Sequence, residues 1–513
     1  GAAGYAGIKM TPPSAMAPTI ILTIAIADCV HILVTMFHEM RHGKEKRDAI
    51  VESLRVNMQP VFLTSLTTVI GFLSLNFSEA PPFHDLGNIA AVGVIAAWLI
   101  SIAFLPAFIA VMPVRVKPVV TGKSSVMERL GEFVIGHRTK LLFGMGLIVV
   151  GTSSFISKIE LDDRFIEYFD TTVPFRVDSD FTRDNLTGVY QVEFSINAEE
   201  SGGVSSPVYL AHLEDFANWL RAKPEVVHVN SITDILKRLN KSMHGDDDTW
   251  YKLPEERDLA AQYLLLYEMS LPYGLDLNSQ INIDKSASRM TVTLDNVSSN
   301  DMRAIALEST QWLQNNAPGY MEADGSGAAV MFAHLADRNI KSMLSGTALA
   351  FVLISLSLVF ALRSLKLGLI SLIPNMVPAI MAFGVWGLFV GQVGLAVSVI
   401  AATSLGLIVD ATVHFLSKYN RARKERGESS ADAVRYGFRT VGSALWITTA
   451  VLVAGFAILS LSTFSVNADM GLLTAITIAL ALFIDFLLLP PLLMLFDGEQ
   501  ATAASTAPAA PAE

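Results

Sequence analysis

An aspartate and a histidine stand close together in each of two long apolar segments of the chain. The first segment reads Thr-Ile-Ala-Ile-Ala-Asp28-Cys-Val-His31, and the second reads Gly406-Leu-Ile-Val-Asp410-Ala-Thr-Val-His414. Side chains three or four positions apart share one face of a helix, and ionisable groups at bilayer depth usually mark an ion or substrate pathway. Carboxyl and imidazole groups can exchange protons near neutral pH, so each pair predicts a proton relay. A static hydrogen-bonded pair that joins helices is the alternative interpretation.

The two segments belong to a module that occurs twice. Seven residues have an identical residue 384 positions later: Gly43, Asp48, Arg55, Gly71, Phe72, Gly87 and Pro106. Upstream the offset falls to 383 for His31 and His414, and to 382 for Asp28 and Asp410. With the aspartates aligned, Ile24 stands where the second copy has Gly406. A duplicated helical bundle with an ionisable pair in both copies is typical of transporters.

Hydroxyl side chains are expected at the depth of the two carboxylates. One following helix contains Thr64 and Ser65, and the other contains Thr448 and Thr449. Each pair lies about as far from the cytoplasmic end of its span as the aspartates do, and a helix rises about 1.5 Å per residue, so the hydroxyls and carboxylates are at a similar depth. They are candidate relay partners, and simple helix packing explains them equally well. Cys29, the only cysteine, is interpreted as a small packing residue.

The composition predicts a polytopic membrane protein. Hydrophobic residues make up 52% of the chain and charged residues 17%, whereas soluble domains carry about 25% charged residues. A helix needs about 20 apolar residues to cross a bilayer. Nine complete spans are predicted, at 16–37, 56–78, 86–112, 139–158, 342–362, 367–390, 394–417, 440–462 and 470–496.

Charge predicts the orientation and the domains. The basic loops fall on one side if the spans alternate, and that side is the cytoplasm by the positive-inside rule. Residues 159–338 then lie outside and hold 30 acidic against 14 basic residues. Short alternating segments between helical ones predict a compact α+β domain there.

We therefore divide the chain into six parts. These are the C-terminal part of a first membrane repeat at 1–112, a cytoplasmic linker at 113–138, a single span at 139–158, an external α+β domain at 159–339, a second membrane repeat of five spans at 340–496, and a disordered tail at 497–513.

Enzyme motifs are missing from the sequence. Gly122-Lys123-Ser124 lacks the earlier glycine of a phosphate-binding loop, and neither a His/Cys metal spacing nor a nucleophile elbow occurs. We expect no cofactor, no metal and no enzymatic activity.

The block from Gly406 to Asp497, with its Gly-x-x-x-Asp motif, basic loop and Thr448-Thr449 helix, resembles the resistance-nodulation-division superfamily. It is most similar to the lipid-exporting branch, the MMPL-type and hopanoid-exporter-like proteins. The resemblance implies twelve spans in two pseudo-symmetric halves with external porter domains. In the family the acids that match Asp28 and Asp410 carry protons, although the tyrosine that follows the acid in some relatives is Cys29 and Ala411 here.

The resemblance also implies export of hydrophobic or lipid-like molecules, driven by the proton gradient, across a bacterial inner membrane. Expected partners are the substrate, protons and membrane lipids, with a homo-oligomer or a periplasmic partner left open and no nucleic acid. A sterol-sensing-like receptor and an auxiliary protein-export motor share this core and remain alternatives. The repeat offset places the counterpart of Thr139 before Gly1, so we expect the first half to continue upstream.

Overall fold

The computed structural model describes residues 1–116, 125–272 and 275–497, and these form two compact units. Unit 1 comprises Gly1–Glu160 and Arg338–Glu513, and unit 2 comprises Leu161–Asp337. The tail predicted at 497–513 lies outside the described residues except for Asp497. Residues 117–124 of the predicted linker lie outside them as well.

Unit 1 consists of helices. In chain order they are α1 (Ala2–Tyr5), α2 (Ala17–Arg41), α3 (Lys46–Leu73), α4 (Pro81–Leu99), α5 (Leu105–Val111), α6 (Val126–Gly136), α7 (Arg138–Ser153), α13 (Ala328–Leu362, which belongs to this unit from Arg338 onward), α14 (Leu365–Phe389), α15 (Leu395–Arg426), α16 (Ser430–Leu459), α17 (Ser465–Leu487) and α18 (Leu489–Asp497). Within the described ranges, nine helical stretches are long and apolar enough to cross a membrane. The nine predicted spans are therefore confirmed.

The helices repeat in the order that the duplication predicts. Helices α2 and α3 correspond to α15 and α16, and the α4–α5 stretch, which continues through a π-helical segment at Ile100–Phe104, corresponds to α17 and α18. The two halves pack crosswise: α15 lies against α3, and α16 lies against α2. This reciprocal packing is the arrangement that a pseudo-two-fold axis between the halves produces.

The basic loops meet at one end of the bundle, which we call the basic end. Lys424 donates hydrogen bonds to the carbonyls of Leu362 (3.3 Å) and Arg363 (3.2 Å), and Gln59 donates to the carbonyl of Ala361 (2.8 Å). The α15–α16 turn forms because Gly427 adopts the left-handed conformation (φ +65°) that ends a helix. Positive side chains at this end also meet the exposed carbonyls at the C-terminus of α13, which attract cations.

Unit 2 is an α+β domain, as predicted. Its antiparallel sheet has the strand order β1–β3–β2, and its elements are β1 (Tyr190–Asn197), β2 (Val226–Asn230), β3 (Ala287–Leu294), α8 (Pro174–Asn185), α9 (Pro207–Arg221), α10 (Ile232–Met243), α11 (Arg257–Ser270) and α12 (Ser299–Asn316). Val192, Phe194 and Ile196 alternate with more exposed residues along β1 and enter the core. This alternation is typical of a sheet with one buried face.

Candidate functional site

Glycine sets the close approach of α15 to α3. A Cβ atom built on Gly406 would lie 3.0 Å from the Cα of Thr68 and 3.1 Å from the carbonyl oxygen of Thr67. Gly71 meets Gly406 from the other side with a similar clearance of 3.0 Å. The hydroxyl of Thr68 donates to the carbonyl of Gly406 across the interface, at 2.9 Å. Only a residue without a side chain allows this contact, and it fixes the height of Asp410 against α3.

The same contact recurs between α16 and α2 with one substitution. Gly455, the counterpart of Gly71, packs on Thr23, and a Cβ atom on Gly455 would lie 2.5 Å from the Thr23 hydroxyl oxygen. Thr23 therefore occupies the place of Gly406 in the first half, at an offset of 383 (406 − 23). The sequence alignment that put Ile24 there was wrong by one residue, because it matched aspartate with aspartate instead of following the packing.

A second pair of contacts supports the offset of 383. The Cys29 thiol lies 3.5 Å from the Ser101 hydroxyl, and the Thr412 hydroxyl donates to Asp485 at 2.8 Å. Cys29 and Thr412 are 383 apart, so the two pairs are counterparts. Cys29 thus makes a polar contact in addition to packing between helices. Asp485 is the counterpart of Ser101.

The two site aspartates are therefore not structural equivalents. At the offset of 383, the position of Asp410 corresponds to Ala27, and the position of Asp28 corresponds to Ala411. One residue along a helix turns a side chain by about 100° around the axis, since a turn holds 3.6 residues. The histidines, at 31 and 414, do correspond. The halves hence share the histidines by symmetry but hold their carboxylates in different places.

Both histidines face one carboxylate. The rings of His31 and His414 stack in parallel, with centroids 3.6 Å apart and planes 3° apart. The Nε2 of His31 lies 3.5 Å from one carboxylate oxygen of Asp410, and the Nε2 of His414 lies 3.7 Å from the other. Neither Nε2 has a hydrogen-bond partner in the described structure, and both rings are buried. Buried unpaired ring nitrogens are rare, so this cluster can accept a proton.

The geometry of the cluster suits one proton better than a metal ion. Ligand atoms of His31, Asp410 and His414 all lie within 4.8 Å of one another. A ring nitrogen binds a metal in the plane of its ring at about 2.0 Å, however, and two parallel rings stacked with their centroids 3.6 Å apart do not direct their nitrogens at one shared ion. Two stacked imidazolium ions would repel each other strongly. The stacked pair therefore holds at most one positive charge beside Asp410.

Asp28 lies in different surroundings. Its carboxylate accepts a hydrogen bond from the Ser65 hydroxyl at 3.4 Å. A small cavity of about 20 Å³ is lined by Asp28, Asp410, Thr64 and Ser65, with Ile24, Ala27, Thr68, Leu407 and Leu452. A cavity needs about 10–15 Å³ to hold one water molecule. One water between polar side chains can therefore connect the two carboxylates.

Of the four hydroxyl residues predicted as relay partners, two line the cavity between the carboxylates and two do not. Thr64 and Ser65 line the cavity. Thr448 is buried and donates to the carbonyl of Leu445 in its own helix at 3.1 Å. Thr449 is buried as well, but Leu452 is the residue of α16 that reaches the cavity. The structure thus brings the carboxylates together with the hydroxyls of α3.

Lys418 is a buried residue that was not among the site residues predicted from the sequence. Helix α15 continues to Arg426, beyond the predicted end of the span at residue 417, and Lys418 lies inside the bundle. A signal was present in the sequence, since Lys418 follows His414 by four positions and Asp410 by eight. That spacing continues the helical face of the site.

Unit 2 has a groove of about 770 Å³ with an aromatic lining. Phe165 and Phe332 stack with centroids 5.0 Å apart, and Phe175 lines the groove beside them. Burial raises the pKa of Tyr190, also in the lining, to about 12, so its phenol stays neutral. Pockets with apolar walls and few polar groups are typical ligand sites.

Comparisons with known proteins agree with this architecture. The family model described as the MMPL family matches residues 3–135 and 277–509. A membrane protein of Methanocaldococcus jannaschii is 22% identical over 317 residues, which are 61% of this chain and 77% of that protein.

Two solved structures have a similar fold. The hedgehog release protein Disp from the water bear Hypsibius dujardini has a TM-score of 0.60 at 15% identity, over 95% of this chain and 64% of Disp. SecDF, a translocon-associated membrane protein from Thermus thermophilus, has a TM-score of 0.57 at 14% identity, over 96% of this chain and 56% of SecDF. The chain thus spans less than two thirds of the length of these proteins, and the predicted polytopic fold is confirmed.

Proposed function

We infer the function from family and site together: the chain belongs to the MMPL family, and we propose that it is a proton-driven secondary transporter. Its cargo is a hydrophobic or lipid-like molecule, exported across a bacterial inner membrane. The observation that carries this proposal is the water-sized cavity that joins Asp28 and Asp410 beside the His31–His414 stack. Apolar side chains in place of a buried ion pair are often neutral or stabilising, so stability alone does not explain this cluster.

In the proposed cycle a proton moves between the two carboxylates. Asp28, protonated, passes its proton through the cavity water to Asp410, and Asp28 becomes the carboxylate. Asp410 then passes the proton to a ring nitrogen of the histidine stack, which becomes singly charged. An ion in a dry bundle is costly, so each protonation state favours a different packing of α2 against α15. The gradient drives transport by biasing that equilibrium.

The aromatic groove of unit 2 is the proposed cargo site. Its volume of about 770 Å³ lies within the range of pockets that hold drug-sized ligands, and Phe165, Phe175 and Phe332 offer faces for an apolar chain. Asp178 and Glu193 at the groove repel anionic head groups. We propose that residues 159–339 lie on the periplasmic or extracellular side, because the spans alternate along the sequence and the basic loops are cytoplasmic by the positive-inside rule.

Paired variants test the relay. Asp410→Asn removes the acid at the stack and keeps its shape, whereas Asp485→Asn removes another buried acid and keeps an acceptor for the Thr412 hydroxyl. We expect Asp410→Asn to abolish gradient-driven movement of a fluorescent phospholipid probe in proteoliposomes, and Asp485→Asn to keep most of it. In pH-titrated infrared spectra, Asp410→Asn should also lose a titrating carboxyl band.

Other outcomes would favour the alternatives. Wild-type probe transport in Asp410→Asn, with its carboxyl bands unchanged, would exclude the relay. Probe binding that is saturable but indifferent to the imposed gradient would favour a sterol-sensing-like receptor. Carboxyl titration without any lipid movement, restored only when a protein-conducting channel is added, would favour an export motor.

A further inference from the structure

A buried lysine continues the helical face of the relay toward the basic end. Lys418 follows His414 by four positions on α15, which places the two Cβ atoms about 6 Å apart. Only 3% of Lys418 is exposed, while Lys424, six residues further on, is exposed to solvent. No hydrogen bond or ion pair joins its ammonium group to another residue in the described part of the chain. A buried ion without a partner destabilises a fold, so a functional reason for Lys418 is needed.

Lys418 also lines a polar cavity at the basic end. The cavity has a volume of about 230 Å³, and Gln59, Asn420, Arg421 and Glu425 are among its other lining residues. One water molecule occupies about 30 Å³ in the liquid, so several waters fit beside these polar side chains. Lys418 therefore separates a wet cavity from the dry site around His414.

The charges that face Lys418 come from three helices. Glu39 of α2 and Glu52 of α3 attract a positive charge on it, and Arg421 of α15 repels one. Both acids are already paired, Glu39 with Lys44 at 2.9 Å and Glu52 with Arg55 at 2.8 Å. His414, on the same helix, is the titratable neighbour on the dry side. No single partner holds Lys418 in the charged form, so it can lose and regain its proton.

We propose that Lys418 is the exit residue of the relay, which transfers the proton between His414 and the water of the basic-end cavity. A protonated His414 gives the proton on its ring nitrogen to the neutral amine of Lys418, and the ring becomes neutral. The resulting ammonium gives one proton to a cavity water, and the amine is restored. Both ring nitrogens of His414 lack a hydrogen-bond partner in the described structure, so either is free to take part. The inference rests on the proposed transport function.

The test uses the full chain in proteoliposomes and measures proton exchange after a rapid pH jump on the basic-end side. The probe is the proton itself, followed by the infrared bands of the buried carboxyls. Lys418→Met keeps the length and removes the amine; we expect an exchange rate at least about tenfold lower, since a positioned acid–base group contributes about 10²–10⁴. Lys418→His should restore exchange in part, and Lys418→Arg should not, because its guanidinium does not lose its proton.

Lys424→Met is the matched control, since Lys424 lines the same cavity but is exposed to solvent, and the exchange rate of this variant should equal that of the wild type. Carboxyl bands that titrate normally in Lys418→Met, with an unchanged exchange rate, would overturn the exit role while leaving the relay intact. Bands that fail to titrate in the wild type would instead refute the relay. If Lys418→Met does not fold, equal exchange rates in Lys418→Arg and wild type would also overturn the proposal.

Discussion

The substitution Gly406→Ala tests the contact that holds α15 against α3. The added methyl group would meet backbone atoms of Thr68 and Thr67 at 3.0 and 3.1 Å, whereas carbon atoms prefer about 3.5–4.0 Å. Backbone cannot rotate away, so the helices must separate by about half an ångström. This separation weakens the 2.9 Å hydrogen bond from Thr68 to Gly406.

The cost follows from these contacts. Overpacking costs about 1–3 kcal/mol, and the weakened hydrogen bond costs up to about 1 kcal/mol. Replacing glycine by alanine inside a helix also stabilises the helix by up to about 1 kcal/mol, because alanine has the higher helix propensity. We therefore expect Gly406→Ala to lower the free energy of unfolding by about 1–3 kcal/mol, and to slow transport because Asp410 lies one turn further along the same helix.

Gly144→Ala in α7 is the matched control, because a Cβ atom there has nothing within 4 Å. Gly144→Ala therefore gains helix propensity without any new steric contact. Its stability should equal or slightly exceed that of the wild type. Unfolding would be followed by titration with denaturing detergent in lipid-containing micelles. Equal midpoints for Gly406→Ala and Gly144→Ala would refute the close-contact explanation of Gly406.

Two further predictions concern the symmetry and the orientation. Gly455→Ala should destabilise the bundle, because the added methyl group would meet the Thr23 side chain. Adding Thr23→Ala should recover most of the lost stability. Losses of stability that simply add in the double variant would show that the two residues do not touch. The orientation can be tested in a Cys29→Ala background, in intact cells whose outer membrane is permeabilised. A cysteine at Ser242 should react with a membrane-impermeant thiol reagent, and a cysteine at Glu425 should not. The reverse labelling pattern would overturn the orientation.

The helices and strands were predictable because their determinants are local. A bilayer requires about 20 consecutive apolar residues, and a half-buried strand alternates. The end of α15 was less predictable, because Lys418 and the basic residues after it lower hydropathy as a loop does. The helix continues through them to Arg426, and burial of Lys418 depends on neighbouring helices that hydropathy does not describe.

The sequence selected the residues of the candidate site, but it did not predict how they are arranged. His31 and His414 belong to segments 383 positions apart, and nothing local indicates that their rings stack. The sequence paired Asp28 with Asp410 because they are the same residue type, but the contacts of Gly455 with Thr23 and of Cys29 with Ser101 require another register. Helix packing decides which positions correspond.

Asp28 is one residue out of register with Asp410, so the two carboxylates have different neighbours. An exact duplication would give both carboxylates the same surroundings. With an acid at Ala27 instead of Asp28, both halves would present a carboxylate at equivalent positions beside the histidine stack, and two anions would compete for one proton. The actual spacing of three residues turns Asp28 away by about 100°, toward Ser65 and the water-sized cavity. In the proposed cycle the two acids therefore act in sequence, since Asp410 faces the histidines and Asp28 lies with Ser65 at the cavity. If the proposed relay operates, its single path lets one proton step bias the packing of both halves at once, because the residues on that path come from α2, α3 and α15.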